Sequence, residues 1–413
     1  MIDFGLVTLL VIAIAVGWLL AWYEAKKKYT LIKNTTSNLN RGYFLGLNYL
    51  LNEQPDQAID EFLNAFEINS DTVEIYLVLG SLFRRRGEVD RAIRVHQDLL
   101  ARPNLDPQQQ SQVQLALARD YLSAGLLDRA ERLLEELVAQ GGEYRHSAID
   151  DLVNIYEQEK DWHRAIEAGE MLLKIGDPNL LTVWQKPKEN VFDKPRPAYN
   201  DAQIQCALAH YCCELVEHAM VMGDWLQAKQ YLKQAMAYDR NSVRSSLLLG
   251  QVEFQLGHPK EAIKLLKKIR HQEPVYFSEA LPLLDQCYRA LNKEDEWLAY
   301  LKSCLVEQVD LSLLLFLADC LQKTQGDSAA QRLILDYLPK QPTPSVLQRL
   351  LVYKMQSCSH EEMMITLTLL QQWITHVVEL SPKYQCGHCG FSGKTLHWMC
   401  PSCKRWGTVK PLA

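Results

Sequence analysis

The sequence predicts an all-α protein: a superhelical solenoid of stacked helical pairs, preceded by one transmembrane helix and closed by a small metal-holding knuckle. Three observations carry this. An uncharged apolar run lies near the start, a helical pattern recurs every 34 residues through the middle, and four cysteines gather between Cys386 and Cys403. The bulk composition agrees. The 413 residues exceed one ordinary domain, and a hydrophobic content of 48% is enough to bury a core, which excludes a largely disordered chain. Fifty acidic side chains against 44 Lys and Arg leave a net charge of −6, which argues against a protein that coats nucleic acid through bulk charge. Eleven cysteines in a chain this long do not make the dense disulfide framework of a small secreted domain.

The first element is an anchor. Phe4 to Tyr23 contains no charge, and Thr8 is its only clearly polar residue. A helix of that length spans roughly 30 Å, the thickness of a bilayer's hydrocarbon core. Trp18, Trp22 and Tyr23 crowd one end, where amphipathic rings settle at the membrane interface. A cleaved signal peptide is the competing reading, but it needs positive charge before the apolar run and a shorter run. Here Asp3 is the early charge, and Lys26, Lys27 and Lys28 come afterwards. By the positive-inside rule those lysines orient a single-pass anchor with the rest of the chain in the cytoplasm, where thiols stay reduced. A specific anionic-lipid contact is the sharper reading of the same triplet; an orientation signal is the plainer one.

From residue 39 to residue 380 the chain repeats. Leu45-Gly46, Tyr49, Ala58, Phe62 and Ala65 align with Leu79-Gly80, Phe83, Ala92, His96 and Leu99, each displaced by 34 residues. Further copies hold Leu117-Ala118, Tyr121, Ala130, Leu134 and Leu137, then Leu152, Tyr156, Ala165 and Leu172. Later ones hold Leu215, Ala219, Ala228, Leu232 and Ala235, then Leu249-Gly250, Ala262 and Leu266. Fainter copies hold Tyr288, Trp297 and Leu301, and Leu317-Ala318 with Ala330. Helix-turn-helix units of this length with small residues at these places resemble the tetratricopeptide repeat. A Gly or Ala on the first helix admits the second helix closely, and large apolar residues at three- and four-residue spacing fill the gaps. Turn residues such as Arg86-Gly87-Glu88 and Gly257-His258-Pro259 separate the two helices. No such unit buries its apolar face alone, so the array stacks. Residues 176–200, with Pro178, Pro187, Pro195 and Pro197, interrupt it. That insertion reads either as a partner-binding arm or as a tolerated loop.

The chain closes on Cys386-Gly-His-Cys389 and Cys400-Pro-Ser-Cys403, two C-x-x-C turns with ten residues between them. Each turn converges two thiolates, and two turns complete a tetrahedron for one metal ion: Cys386, Cys389, Cys400 and Cys403. Zinc suits a closed four-thiolate site, and rubredoxins hold iron in the same tetrahedron, so a zinc-ribbon or rubredoxin-like knuckle is expected with either metal. A redox C-x-x-C pair is the competing reading, and the doubled motif disfavours it. His388 and His397 are alternative ligands that a saturated four-thiolate site does not need. Gly393-Lys394-Thr395 is no phosphate loop, because His388 stands where that motif requires glycine. Lys383, Lys394, Lys404, Arg405 and Lys410 make the tail modestly basic, which suits a docking face or a solvated one better than a nucleic-acid surface.

A catalytic constellation is not evident. His210, Glu214 and His218 share a helical face, but the His-Glu-x-x-His pattern of metalloproteases is absent. Nucleophile-elbow and dinucleotide-loop motifs are absent too. A cryptic metalloenzyme and a metal-knuckle nucleic-acid-binding scaffold remain the two alternatives to a binding protein.

The order of anchor, repeat solenoid and terminal knuckle resembles the bacterial lipopolysaccharide assembly protein B family. The residues that carry this are the anchor with its lysines, His210-Tyr211-Cys212-Cys213-Glu214-Leu215, and the end segment. In the end segment they are Pro382-Lys383-Tyr384-Gln385-Cys386, Cys389-Gly390-Phe391, Cys400-Pro401-Ser402-Cys403 and Lys410-Pro411. The insertion at 176–200 is longer than that family leads one to expect. The resemblance implies a protein that is not an enzyme. It implies an inner-membrane adaptor that lowers lipopolysaccharide synthesis by promoting destruction of the committed-step deacetylase LpxC by the membrane-anchored AAA+ protease FtsH. It further implies partners among other lipopolysaccharide-assembly proteins, four cysteine ligands for the metal, and a knuckle packed on the solenoid. Self-association is compatible with it, and nucleic acid is not expected. The domains read as 1–28 anchor, 29–38 linker, 39–175 front repeats, 176–200 insertion, 201–380 back repeats and 381–413 knuckle. First helices line the groove of such an array, and by register Arg84, Arg85, Arg119 and Asn154 fall on that face as candidate partner contacts.

Overall fold

The computed structural model describes residues 73–103, 105–175, 200–307, 310–339, 342–356 and 361–412, apart from the side chains of residues 361 and 362, and a few isolated earlier positions. The expected anchor with Lys26, Lys27 and Lys28, the repeat expected from residue 39, and the insertion up to residue 199 lie outside the described residues. Among the described residues no helix is long and apolar enough to cross a membrane.

The chain forms two compact units, residues 1–159 with 174–198, and residues 160–173 with 199–413. The described part of the first holds α1 (Val73–Arg85), α2 (Val89–Leu100), α3 (Pro107–Ser123), α4 (Leu127–Gln140) and α5 (Arg145–Glu159). The second holds most of α6 (Trp162–Ile175), then α7 (Asp201–Val221), α8 (Trp225–Tyr238), α9 (Val243–Gln255) and α10 (Pro259–Gln272). After a short 3-10 turn at Pro274–Tyr276 come α11 (Phe277–Ala290), α12 (Glu294–Glu307), α13 (Leu311–Gln325), α14 (Asp327–Tyr337), α15 (Pro344–Gln356) and α16 (Glu361–Leu380). Three strands close it: β1 (Tyr384–Cys386), β2 (Ser392–Gly393) and β3 (Val409–Pro411).

The helices are a tetratricopeptide-type array. Within each unit a first helix packs on its own second helix and on the first helix of the next pair, as α1 does on α2 and α3, and α9 on α10 and α11. The small residues read from the sequence sit at those close approaches. Ala92, Ala130, Ala228, Ala262 and Ala330 are fully buried. A Cβ added at Gly80 would lie 2.3 Å from His96 Nε2, and one at Gly250 would lie 2.7 Å from Leu266 Cδ2. Turns between helices use glycine where the backbone enters the left-handed region, as at Gly87 (φ 81°) and Gly257 (φ 80°). Two first helices begin with reciprocal capping boxes, Asp106 with Gln109 and Asn200 with Gln203, which satisfy amides that the helix leaves free.

Helix α6 packs with the second unit for local reasons. Trp162 stacks on Tyr211 at 5.7 Å, Leu208 covers Gly169, and Tyr238 donates to Glu170 at 2.5 Å. One core then runs from Val243 to Tyr353, built from the facing sides of α9 to α15, and Leu396 and Trp398 of the knuckle pack against it.

Replacing Gly250 by Ala drives a methyl group into fully buried Leu266. Gly250→Ala should therefore destabilise the array by about 1–3 kcal/mol, read as a lower urea midpoint; an unchanged midpoint would show that the helices separate without cost.

Candidate metal centre and the surface that holds it

Strands β1, β2 and β3 form one antiparallel sheet in the order β2-β1-β3, with Tyr384 opposite Gly393 and Cys386 opposite Val409. The sheet holds the first C-x-x-C turn beside the second. In each turn a backbone amide four residues after the leading cysteine bonds back to its carbonyl, Gly390 to Cys386 at 3.0 Å and Lys404 to Cys400 at 2.9 Å. Both closing residues have positive φ, 76° at Gly390 and 56° at Lys404. The two turns are thus near copies of one another.

The result is a four-cysteine, rubredoxin-like site. The sulfurs of Cys386, Cys389, Cys400 and Cys403 all lie within 4.8 Å of one another. Sγ–Sγ distances are 3.8 Å for Cys386 with Cys403 and 3.6 Å for Cys389 with Cys400. A tetrahedron with metal–sulfur bonds of about 2.3 Å has edges of about 3.8 Å, so these thiols are spaced as ligands of one ion. Their surroundings favour thiolate at one end. The upward push of burial on Cys386 is outweighed by the Thr408 hydroxyl and by backbone amides of Cys389 and His388, which leave it at about 6. Burial pushes Cys400 up to about 12. A bound divalent metal ion would deprotonate a coordinating thiol outright, and the donor set fits zinc or iron.

Among the described residues this is the group of metal-capable side chains that converges. His388 is exposed, and His397 meets the Thr395 hydroxyl at 3.0 Å. The helical face of His210, Glu214 and His218 does not gather: His210 is buried against Trp406, Glu214 accepts from Arg244 at 2.8 Å, and His218 is exposed. The groove candidates all belong to the first unit. Arg84 donates to fully buried Asp120, which also meets His96 Nδ1 at 2.5 Å. Arg119 donates to Asp151 at 2.8 Å, Asn154 accepts from Gln158 at 3.2 Å, and Arg85 is exposed.

The surface that holds the knuckle comes from the second unit: the start of α6, the first helices α7, α9 and α11, and the 3-10 turn after α10. Trp406 lies against His210, with ring centroids 5.1 Å apart, and edge-on to Tyr211 and Trp162 at 5.8 and 6.1 Å. Trp398 stacks on Tyr276 at 5.6 Å and has the Arg244 guanidinium 5.7 Å from its ring centroid. Polar bonds surround these rings: the Tyr276 hydroxyl donates to the Val409 carbonyl at 2.7 Å, the Tyr384 hydroxyl to Glu279 at 2.9 Å, and Lys410 to Glu273 at 2.5 Å. Arg244 is 3% exposed and donates through Nη2 to Glu214 and Glu217.

Comparison with known proteins follows the same parts. A family model described as a rubredoxin metal binding domain matches residues 384–411, and tetratricopeptide repeat models match residues 75–110 and 219–276. Lipopolysaccharide assembly protein B of Escherichia coli strain K12 is 34% identical over 404 residues, covering 98% of this chain and 97% of that one. This chain belongs to the lipopolysaccharide assembly protein B family. The Haemophilus influenzae strain Rd protein of the same name is 32% identical over 415 residues, with the same shares covered. Of solved structures, a tetratricopeptide repeat protein from Parabacteroides merdae is similar over 69% of this chain and 99% of its own, with 12% identity and a TM-score of 0.32.

In this member of the lipopolysaccharide assembly protein B family, Trp398, Trp406, Tyr276 and Arg244 escape a reading by motif. The legible hint was His210-Tyr211-Cys212-Cys213-Glu214-Leu215, the segment on which Trp406 rests.

Two outcomes test the site. Cys386→Ser with Cys389→Ser should lose the metal equivalent in elemental analysis and expose the join before β1 to limited proteolysis; retained metal would mean that the ion lies elsewhere. Burial, with Arg244 second, pushes His210 down to about 3, so it docks as a neutral ring. A histidine free in solution titrates near 6.5, so the undocked state binds more protons between those values, and docking weakens as pH falls through about 6.5. His210→Phe should flatten that part of the pH profile of thermal stability; an unchanged slope would assign the loss to other groups.

Proposed function

We propose that this protein is an adaptor anchored in the bacterial inner membrane that regulates lipopolysaccharide biosynthesis from the cytoplasmic side. It acts by bringing the committed-step deacetylase LpxC to the membrane-bound protease FtsH, and it carries out no chemistry itself. The observation that carries this reading is likeness to lipopolysaccharide assembly protein B along 98% of the chain. The structure supports it in kind: helical repeats offer extended binding surface, and the knuckle adds a second surface docked on the first. Cys386, Cys389, Cys400 and Cys403 hold one zinc or iron ion, whose role is to keep the two turns closed so that Trp398 and Trp406 stay seated. Arg85 and Asn154, with Arg84 and Arg119 braced by carboxylates, stand as the front-repeat contacts for partners.

An anchor raises the effective concentration of the repeats beside other anchored complexes, which is where a protease adaptor gains most. Removing residues 1–28 should release the protein into the soluble fraction and slow deacetylase turnover in a pulse-chase experiment. Turnover at the normal rate in that strain would refute the adaptor reading.

A further inference from the structure

We infer that a cavity beside the knuckle, at the start of α9, binds a small zwitterion of the free α-amino acid type. The site lies wholly inside the second unit and does not depend on the adaptor reading. Atoms without partners mark it. Among the described residues, the buried side-chain polar atoms that lack a hydrogen bond are His96 Nε2, His210 Nδ1, Arg244 Nε and Nη1, and Gln272 Oε1. His210, Arg244 and Gln272 all line one cavity of about 340 Å3, to which the knuckle contributes Trp398 and Gly407. That volume lies at the low end of small-molecule sites.

The polar groups divide by the helix ends that carry them. A guanidinium has five N–H donors, and Nη2 of Arg244 gives two to Glu214 and Glu217, which leaves three. Arg244 is the second residue of α9. The Ser242 hydroxyl takes the Ser245 amide and the Ser242 carbonyl the Ser246 amide, while the amides of Val243 and Arg244 have no intrahelical partner. The donors thus gather at the positive end of a helix. The acceptors come from negative ends. Gln272 is the last residue of α10, and Asp239 and Glu273 are the C-caps of α8 and α10. Burial, with Asp239 and Glu273 adding to it, pushes the Cys206 thiol of the same lining up to about 11, so it stays uncharged.

A carboxylate suits the first set and an ammonium the second, and a free amino acid carries both on one carbon. Charge disfavours a simple anion. Glu214, Glu217, Asp239 and Glu273 line the cavity or pair with its lining, against Arg244 and Lys410. A phosphate would add to that negative excess, and a net-neutral zwitterion does not. A quaternary ammonium has no N–H for Gln272 Oε1, so a betaine fits worse. Because Trp398 and Gly407 belong to the lining, a bound ligand favours the docked knuckle.

The test uses the full chain, metal-loaded and purified in detergent micelles, with each standard free amino acid as a probe. Binding is read by isothermal titration and by the thermal midpoint. At least one amino acid should bind and raise the midpoint. Its methyl ester, which lacks the carboxylate, and its N-acetyl form, which lacks the ammonium, should each bind at least about tenfold more weakly. Inorganic phosphate should not compete. Asp239→Asn and Gln272→Leu change size little, and each should weaken binding about tenfold while the ligand-free midpoint holds. Cys386→Ser with Cys389→Ser should abolish binding; retained binding would place the ligand elsewhere. If no amino acid binds, water alone satisfies these groups and the site is overturned. Equal binding of the ester or the N-acetyl form, or undiminished binding to both single variants, overturns it too. Should a variant lose its midpoint, the ester and N-acetyl comparison on the unaltered protein decides. Deacetylase turnover after removal of residues 1–28 is read separately, so the adaptor reading and this site stand or fall apart.

Discussion

A segment of about thirty residues with strands of two and three residues has too little interior to fold by burial alone. Its own core consists of Cys386, Cys400 and Val409, with Tyr384, Phe391, Leu396 and Cys403 partly buried around them. What fixes its shape is the spacing of four sulfurs around one centre, and everything that the knuckle touches follows from that. The second turn is bracketed by an isolated bridge between Met399 and Trp406, so closing the turn aims the Trp398 and Trp406 side chains at the solenoid from one rigid base. Lys404 accepts a left-handed conformation, which costs a residue with a Cβ about 1 kcal/mol, because the turn's sulfur geometry over-determines it.

The receiving surface had to solve a different problem. Docking buries a cation and a histidine on first helices that would otherwise face water. Arg244 is kept charged by two carboxylates from α7, one pair step back in the array, and by the face of Trp398. His210 takes the other solution and stays neutral, which lets it stack on Trp406 as an aromatic ring. Each residue is costly to bury: an indole of the knuckle covers each one, yet Arg244 Nε and Nη1 and His210 Nδ1 are buried without a hydrogen-bond partner.

The fold was legible wherever a small residue marks a close helix approach. It failed where bulk replaces it. Helices α15 and α16 form a pair like the others, yet Val352 and Met364 stand 34 residues beyond Ala318 and Ala330, so the pattern offers nothing to recognise. His96 occupies a register position filled elsewhere by Phe62 or Leu134, and the reason lies one repeat on, in Asp120. The same logic explains Arg84 and Arg119. Register correctly puts them on a first-helix face, but the residue facing each lies close to one repeat away, at Asp120 and Asp151, and a carboxylate there captures the guanidinium. The four cysteines were readable because metal spacing is local. Their docking came only through the family resemblance, and its contacts not at all, because Tyr276 and Val409 are separated by 133 positions and no periodicity links them.

The docked contact has a thermodynamic consequence. The closed turns hold Trp398 and Trp406 in place, and those indoles seat the knuckle on His210 and Tyr276. An ion that binds the closed turns more tightly than open ones favours docking. Docking then favours retention of the ion by the same factor, since linkage between two equilibria is reciprocal. Loss of either one weakens the other without a contact between the ion and the helices.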